Sequence, residues 1–267
     1  WGIAEDAGKP YFITGVTGGY CIGPTASSAS STTELVHVLA VYDYENKLQH
    51  LYINGVAVDA GTAITGEFAP AGAEAFNLFC LGADYRAQAN VNSQYSLDYP
   101  SPNMTMVDAK IYSQVLTAEQ AKAAYDAAVA ALGTPVTTEP DPEPTTLPEA
   151  YVDFEFGSDG VMDAKGNVTV TNKGASFGKT NVTVNGKTYE VDALQITESG
   201  QYVLCEFEDF TEAAQMKAWA EGGFAVEAFY VMGNKSSIQG IVCATEQYPR
   251  ATSSTPGPLG GWGIAEN

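Results

Sequence analysis

The amino-acid sequence predicts an all-β fold, a two-sheet sandwich or jelly roll that carries two short helices. Short runs rich in β-branched and aromatic residues recur along the chain, and Gly, Asn and Asp separate them. Runs with the longer period of a helix are nearly absent. Many short antiparallel strands with regularly spaced turns favour a sandwich or jelly roll over a parallel α/β fold.

The predicted strands fall into two groups, one in each part of the chain. The first group covers residues 9–16, 34–45, 47–59, 75–84 and 104–113, and the second covers 150–157, 167–172, 181–196, 200–210, 224–233 and 237–245. Asn-Gly pairs at 54–55 and 185–186 predict tight hairpin turns, and the polar residues 42–47 predict a hairpin tip.

Two helices are expected. Thr117 with Gln120 forms a capping-box pattern before an Ala-rich run, and Gly133 follows as a stop signal. A second, shorter helix is predicted over residues 211–221. Both helices are minor features of a chain dominated by strands.

A repeat and a linker divide the chain. The sequence WGIAE occurs at residues 1–5 and again at 262–266, as if one period of a tandem array had been excised, and we expect the chain to be an interior fragment. Residues 133–150 are rich in Pro, Thr and Glu and predict an extended linker. The linker leaves two segments, residues 1–132 and 151–267.

Composition excludes some classes of partner. The 267 residues are 45% hydrophobic, enough for a packed core, and the formal net charge is −20. Such a charge repels nucleic acid and anionic membranes. No apolar stretch is long enough to span a bilayer, so we expect no membrane insertion.

The four cysteines, Cys21, Cys80, Cys205 and Cys243, lie far apart in apolar, strand-like runs without metal-ligand spacing. Two interpretations stay open: all four are buried free thiols, or one pair forms a disulfide between strands that meet in space. We favour free thiols.

Two stretches of the first segment resemble the laminin-G-like family of concanavalin A-like sandwiches. The first, ELVHVLAVYDYENKLQHLYINGVAVD, is similar to the strand pair of that family through His37, Val38, Ala40, Val41, Tyr42, Asp43, Leu51, Tyr52, Asn54 and Gly55. The second is similar to the family's closing pattern through Leu81, Gly82, Asp84, Asp108, Ile111, Tyr112, Leu116 and Glu119.

The opening pattern of the same family resembles YVDFEFGSDG at residues 151–160. The resemblance therefore implies that residues 1–132 are the C-terminal half of a laminin-G-like domain and residues 151–267 the N-terminal half, in permuted order. It also implies a bacterial, extracellular, secreted or cell-surface setting, with similar modules found beside phosphoesterase domains.

The sequence contains few residues in a pattern that indicates catalysis. A glycoside hydrolase needs paired carboxylates, and the nearest patterns are Asp153 with Glu155 and Glu206 with Glu208. Alternation with core aromatic residues explains both pairs without catalysis. His37 and His50 are expected to face each other across a hairpin, but they lack a third metal ligand.

Candidate binding residues are of two kinds. Tyr85, Tyr95, Tyr99 and Tyr248 lie in polar surroundings and are suited to stacking on sugar rings. Asp159, Asp163 and Asp84 lie near turns and are candidate calcium ligands, although turn formation alone explains their positions. Calcium is the one cofactor considered.

Three functions follow in order of preference. The first is a non-catalytic binding or adhesion module that recognises carbohydrate or protein. The second is a structural repeat that builds a stalk or filament, because each half-domain can complement the other half in a neighbouring copy, head to tail. The third is a cryptic glycoside hydrolase or an accessory module of a phosphoesterase.

Overall fold

The computed structural model describes residues 1–17, 19–70, 76–88, 96–98, 100–133, 146–234 and 238–247, and it describes the backbone alone at 19, 85–88, 96–98 and 245–247. These residues form two sheets of mainly antiparallel strands with two helices. The predicted all-β sandwich is confirmed; its jelly-roll connectivity stays a prediction.

The first segment supplies eleven strands and one helix. These are β1 (Gly2–Asp6), β2 (Lys9–Val16), β3 (Gly19–Thr25), β4 (Val36–Asp43), β5 (Leu48–Ile53), β6 (Val56–Ala57), β7 (Thr62–Ala63), β8 (Leu78–Leu81), β9 (Asp84–Gln88), β10 (Ser96–Asp98), β11 (Met104–Tyr112) and α1 (Ala118–Ala131).

The second segment supplies eight strands and one helix. These are β12 (Val152–Phe156), β13 (Val161–Asp163), β14 (Val168–Lys173), β15 (Ser176–Val184), β16 (Lys187–Ile196), β17 (Tyr202–Phe207), α2 (Ala213–Glu221), β18 (Phe224–Met232) and β19 (Gln239–Gln247).

Both sheets contain strands from both segments. Sheet one has the order β14-β17-β8-β19-β1-β2-β3, with β9 beside β19 and β10 beside β9; sheet two has the order β13-β12-β11-β18-β4-β5-β6, with β16 also beside β11. Among the pairs of described strands, only β9 and β19 run parallel, and one isolated parallel bridge joins Gly174 to Tyr202. Strands of the second segment, β19 and β18, lie between strands of the first, so one hydrophobic core needs both segments.

The core lies between the two sheets and is rich in aromatic rings. Trp1, Phe12, Phe79 and Phe224 are buried there. Trp219 of α2 stacks on Phe224 at 4.8 Å between ring centroids. Helix α2 therefore packs its aromatic side chain against the same core.

Helix α1 covers the outer face of sheet two. Its small buried residues Ala121 and Ala124 pack with Leu39, Val41 and Tyr112 of the sheet in a second apolar cluster. Alanine lets the helix approach the strands closely. The outer face of this sheet is therefore an interior layer rather than a surface.

The predicted local signals are present. Asn54-Gly55 and Asn185-Gly186 have positive φ at both residues and join β5 to β6 and β15 to β16. The capping box of Thr117 and Gln120 begins α1. Gly133, with φ of 103°, follows its end.

Candidate functional site

The strongest candidate for a binding surface is the outer face of β2 and β3. Side chains of opposite residues in an antiparallel pair lie on the same face. Ile13 pairs with Ile22, and Gly15 pairs with Tyr20. Tyr11 lies two residues before Ile13 on the same side of β2. We call Tyr11, Ile13, Tyr20 and Ile22 the β2–β3 face.

Exposure distinguishes this face from the rest of the described surface. Tyr20 and Ile22 are 38% and 50% exposed, and they are two of the four large apolar side chains that the described residues expose. The other two, Val56 and Met162, lie on separate elements. Tyr11 and Ile13 are half-buried beside them. Apolar side chains are thus clustered here.

The other side of the same strands explains why this face exists. Phe12, Thr14 and Val16 alternate with Tyr11 and Ile13 and are buried in the sandwich. Strand β2 is therefore apolar on both faces, a pattern that one buried face does not require. The strand itself is predicted from the sequence, but its second apolar face is not among the predicted sites.

A second notable arrangement is a buried polar cluster beneath α1. It consists of His37 on β4, Glu227 on β18, and Asp108, Lys110 and Tyr112 on β11. His37 Nε2 lies 2.9 Å from Glu227 Oε1, and the Tyr112 hydroxyl donates to Glu227 Oε2 at 2.8 Å. An ionised carboxylate only accepts, so Nε2 of His37 carries the proton in this contact.

The register of three neighbouring strands brings the cluster together. Glu227 of β18 lies directly opposite Lys110 of β11, and Phe229 lies opposite both Asp108 and His37. The Lys110 ammonium pairs with Asp108, and its Nζ lies 3.6 Å from Oδ1 of Asp153. The cluster therefore runs from the fully buried His37 toward the partly exposed Lys110.

Burial and charge act in opposite directions on the two buried acids. Burial alone would raise the pKa of Glu227, but hydrogen bonds and charges from His37, Lys110 and Tyr112 lower it to about 2. Burial raises the pKa of Asp108 to about 6 despite its contact with Lys110. The two carboxyl groups thus hold protons over different pH ranges.

This cluster accounts for several of the motif residues. His37, Asp108 and Tyr112, which carry part of the family resemblance, all surround Glu227. Glu227 is not among the residues predicted from the sequence. The feature of the sequence that could have identified Glu227 is that it is the one acidic residue in the otherwise apolar strand FAVEAFYVM. The residues bind one another, so the cluster is best explained as internal support for the sheet.

The tyrosines predicted to bind sugar cannot be placed as a site. Tyr95, Tyr99 and Tyr248 lie outside the described residues, and at Tyr85 in β9 only the backbone is described. The prediction that they bind carbohydrate stays a prediction.

The three aspartates proposed for calcium do not converge. Asp163 accepts hydrogen bonds from the backbone N–H groups of residues 153, 165, 167 and 168. Its carboxylate therefore stabilises the turn that follows β13. Asp159 is exposed, and Asp84 is buried at the start of β9 in the other sheet. Within the described ranges, no group of three or more His, Cys, Asp or Glu side chains is arranged to hold a metal ion.

The carboxylate pairs alternate with buried aromatic residues, as the simpler interpretation predicts. Glu206 and Glu208 are exposed, whereas Phe207 between them is buried. Glu206 accepts from Asn77, and Glu208 accepts from Thr169.

The expected pairing of His37 with His50 is wrong. His50 lies opposite Val41, because the β4–β5 hairpin closes with Asp43 opposite Leu48 around a tip of residues 44–47. The register of β4 and β5 therefore does not place the two histidines opposite each other.

The structure supports the prediction of free thiols. Cys21, Cys80, Cys205 and Cys243 are buried free thiols. Burial raises the pKa of Cys80 and Cys205, which keeps both thiols protonated.

In the part of the chain that the structure describes, neither helix has the length and apolar character needed to cross a membrane.

Comparison of the chain with protein-family models, with curated proteins and with solved structures finds no match. The laminin-G-like resemblance therefore stays a prediction from the motif residues, and the geometry alone bears on function.

Proposed function

We propose that this chain is a non-catalytic binding module of a secreted or cell-surface protein and that it binds a neutral glycan through the β2–β3 face. One observation carries the proposal: Tyr20 and Ile22, two of the four exposed large apolar side chains of the described residues, lie two residues apart on the same face of one strand. Adjacent Ile13 and Tyr11 extend the apolar area onto β2.

The chemistry of the face favours a sugar ring as the ligand. Tyrosine has an apolar ring for stacking and a hydroxyl group for hydrogen bonding. A rigid sheet holds these side chains with little loss of entropy on binding. The net charge of −20 disfavours acidic glycans and phosphorylated ligands. A neutral glycan is therefore the ligand that this face suits best.

The test is binding of the full chain to an array of neutral oligosaccharides, followed by titration of the best binder by calorimetry. Tyr20→Ala should lower affinity at least about tenfold, because it removes a stacking ring. Val56→Ala removes a more exposed apolar side chain on β6 of sheet two, outside the β2–β3 face, and should leave affinity unchanged. Both variants should melt within a few degrees of the parent chain.

Absence of binding to any neutral glycan would refute the proposal. So would equal losses for the Tyr20 and Val56 variants, because binding would then not depend on the β2–β3 face. Binding to a protein that Tyr20→Ala abolishes would identify the same face as a protein-recognition surface and would also reject the glycan.

A second candidate function is a structural repeat assembled by exchange of half-domains. The observation that favours it is the position of β18 and β19 between strands of the first segment. Any neighbouring copy that supplies residues 151–247 presents the same strands to residues 1–132. A linker of residues 133–150 could then connect consecutive sandwiches, head to tail, in a stalk or filament.

Light scattering over a wide concentration range tests this second function. Half-domain exchange predicts open oligomers whose mean mass increases with concentration. A compact monomer at every concentration contradicts it. The glycan experiment and the scattering experiment are independent, so one function can fail without the other.

A further inference from the structure

Strand β1 occupies a closed position in the middle of sheet one, between β2 and β19. It pairs with β2 along its whole length and with β19 through Gly2 to Cys243 and Ile3 to Val242. Ile3 is fully buried and Trp1 is 4% exposed. We call this position, bounded by β2 and β19, the β1 slot.

The contacts in the β1 slot restrict which residue type can occupy each position. A side chain at Gly2 would lie 2.6 Å from the carbonyl oxygen of Val242, so the position requires glycine. The Trp1 ring lies 5.5 Å from Phe79 and 5.9 Å from Phe224 in the core. The slot therefore needs a large aromatic residue followed by glycine.

The end of β1 also carries a specific polar contact. Glu5 is fully buried and accepts hydrogen bonds from the hydroxyls of Tyr230 at 2.8 Å and Ser30 at 2.9 Å. A buried carboxylate is tolerated only where such donors meet it. An aromatic residue, Gly, Ile, a small residue and Glu, in that order, are thus required.

The chain contains that sequence twice. Residues 262–266 are Trp, Gly, Ile, Ala and Glu, identical to residues 1–5. They lie outside the described residues. We propose that the β1 slot also binds residues 262–266 of the same chain, so that two identical segments compete for one position in the core. This inference does not depend on glycan binding.

Chain geometry allows residues 262–266 to reach their own slot. Trp1 N donates to the carbonyl oxygen of Ala244 at 2.5 Å, which places the start of the slot beside the C-terminal part of β19. The 14 residues 248–261 separate the end of β19 from Trp262. Fully extended they span roughly 45 Å, whereas Ala244 lies only three residues from Gln247, or about 10 Å along the strand.

Loop closure favours residues 1–5 in this competition. Residues 1–5 connect to β2 through the two-residue turn of Ala7 and Gly8, which costs less entropy than closing a longer loop. Residues 262–266 must instead close a loop of the 14 residues 248–261, although the cost of closure increases only slowly with loop length.

Substitutions in the 267-residue chain distinguish between the two occupants of the slot. Aspartate at the buried isoleucine position is incompatible with the core. If either segment can fill the slot, Ile3→Asp and Ile264→Asp should each lower the melting midpoint by no more than about 4 °C, and the double variant by about 10 °C or more. Phe12→Asp in β2, for which the chain has no second copy, should cause the large decrease alone.

The interaction between the two substitutions decides the result. If Ile3→Asp alone is as harmful as the double variant, residues 262–266 do not fill the slot and the proposal is wrong. The same conclusion follows if Ile264→Asp has no larger effect in the Ile3→Asp background than in the parent chain.

A disulfide experiment identifies which copy supplies the strand. Ala4 lies opposite Tyr11, so residue 265 should occupy that place when the second segment binds. Oxidation of Tyr11→Cys with Ala265→Cys in the Ile3→Asp background should give a cross-linked monomer. Tyr11→Cys with Ala4→Cys in the Ile264→Asp background is the matched control. Cross-linked dimers, or no cross-link where the control forms one, would overturn the proposal.

Discussion

Glu227 places a carboxylate in the layer between sheet two and helix α1, where water does not reach it. The residue is about 1% exposed, and burial alone would raise the pKa of its carboxyl group, yet the pKa is lowered because His37, Lys110 and Tyr112 stabilise the charge. Removing one member of such a cluster leaves the other members buried without partners. The stability of the folded chain therefore depends on all members of the cluster being present.

Glu227→Ala should lower the free energy of unfolding by about 3 to 5 kcal/mol, because it leaves the Tyr112 hydroxyl and the His37 ring without their acceptor. Urea denaturation followed by circular dichroism measures the change. Glu227→Gln keeps one acceptor oxygen and should cost less. Equal stability of the alanine variant and the parent chain would show that the cluster contributes nothing.

The low pKa of Glu227 also predicts a dependence on pH. A carboxyl group whose pKa falls from 4.5 to about 2 on folding contributes stability above pH 4.5 and loses it as the pH decreases toward 2. The stability advantage of the parent chain over Glu227→Gln should therefore shrink by about 3 kcal/mol across that range.

Asp108 acts with the opposite sign, and its contribution differs between the parent chain and Glu227→Gln, because burial and then the charge of Glu227 raise the pKa of Asp108. Its pKa is raised from 3.8 to about 6 on folding, so it favours the folded chain below pH 3.8 and loses that contribution as the pH increases through 6. Asp108→Asn in both chains of the comparison removes this contribution and leaves the effect of Glu227 alone. A difference that stays constant from pH 5 to 2.5 would contradict the assigned shift of Glu227.

Helix α1 depends on its first turn as well as on its buried alanines. Thr117 accepts from the backbone N–H of Gln120, and the Gln120 side chain accepts from the backbone N–H of Thr117 at 2.9 Å. Thr117→Ala should lower the free energy of unfolding by about 1 kcal/mol. Ser113→Ala, at an exposed site before the helix, should have no measurable effect in the same denaturation assay.

Elements with a local signal could be predicted from the sequence. The Asn-Gly turns, the capping box and the long apolar strands β4, β11 and β18 all occur where residue patterns place them. Strands β1 and β3 were not predicted, because WGIAED and GYCIGPT contain Gly, Pro or acidic residues that weaken the strand pattern. Pairing with β19 and β2 stabilises β1 in spite of that composition.

Strand register and the candidate site depended on contacts that are distant in sequence. The hairpin of His37 and His50 was correctly located, but its register places His50 opposite Val41 and Ile53 opposite Val38. Glu227 meets its partners from strands 115 and 190 residues away. The β2–β3 face required knowledge of which side of β2 is buried. Periodicity alone does not give that information.

At the scale of the whole molecule, the two segments are joined by more than the linker. Strand β11 of the first segment pairs with β12, β16 and β18 of the second, and β19 of the second pairs with β1, β8 and β9 of the first. The core extends across all of these pairs. Interfaces of this kind resemble a domain core divided in two, which holds chains together without a covalent link.

Cutting the chain within residues 134–145 should therefore leave the sandwich intact. With a protease site inserted there, cleavage should yield two fragments that co-elute as a one-to-one complex with the circular dichroism spectrum of the uncut chain. Because unfolding then also separates the fragments, the melting midpoint should increase with protein concentration, whereas the midpoint of the uncut monomer should not. Each fragment alone should lack a cooperative transition, since neither contains all the strands of either sheet. Separation of the fragments under native conditions, or a cooperative transition in either fragment alone, would show that the two segments are independent domains.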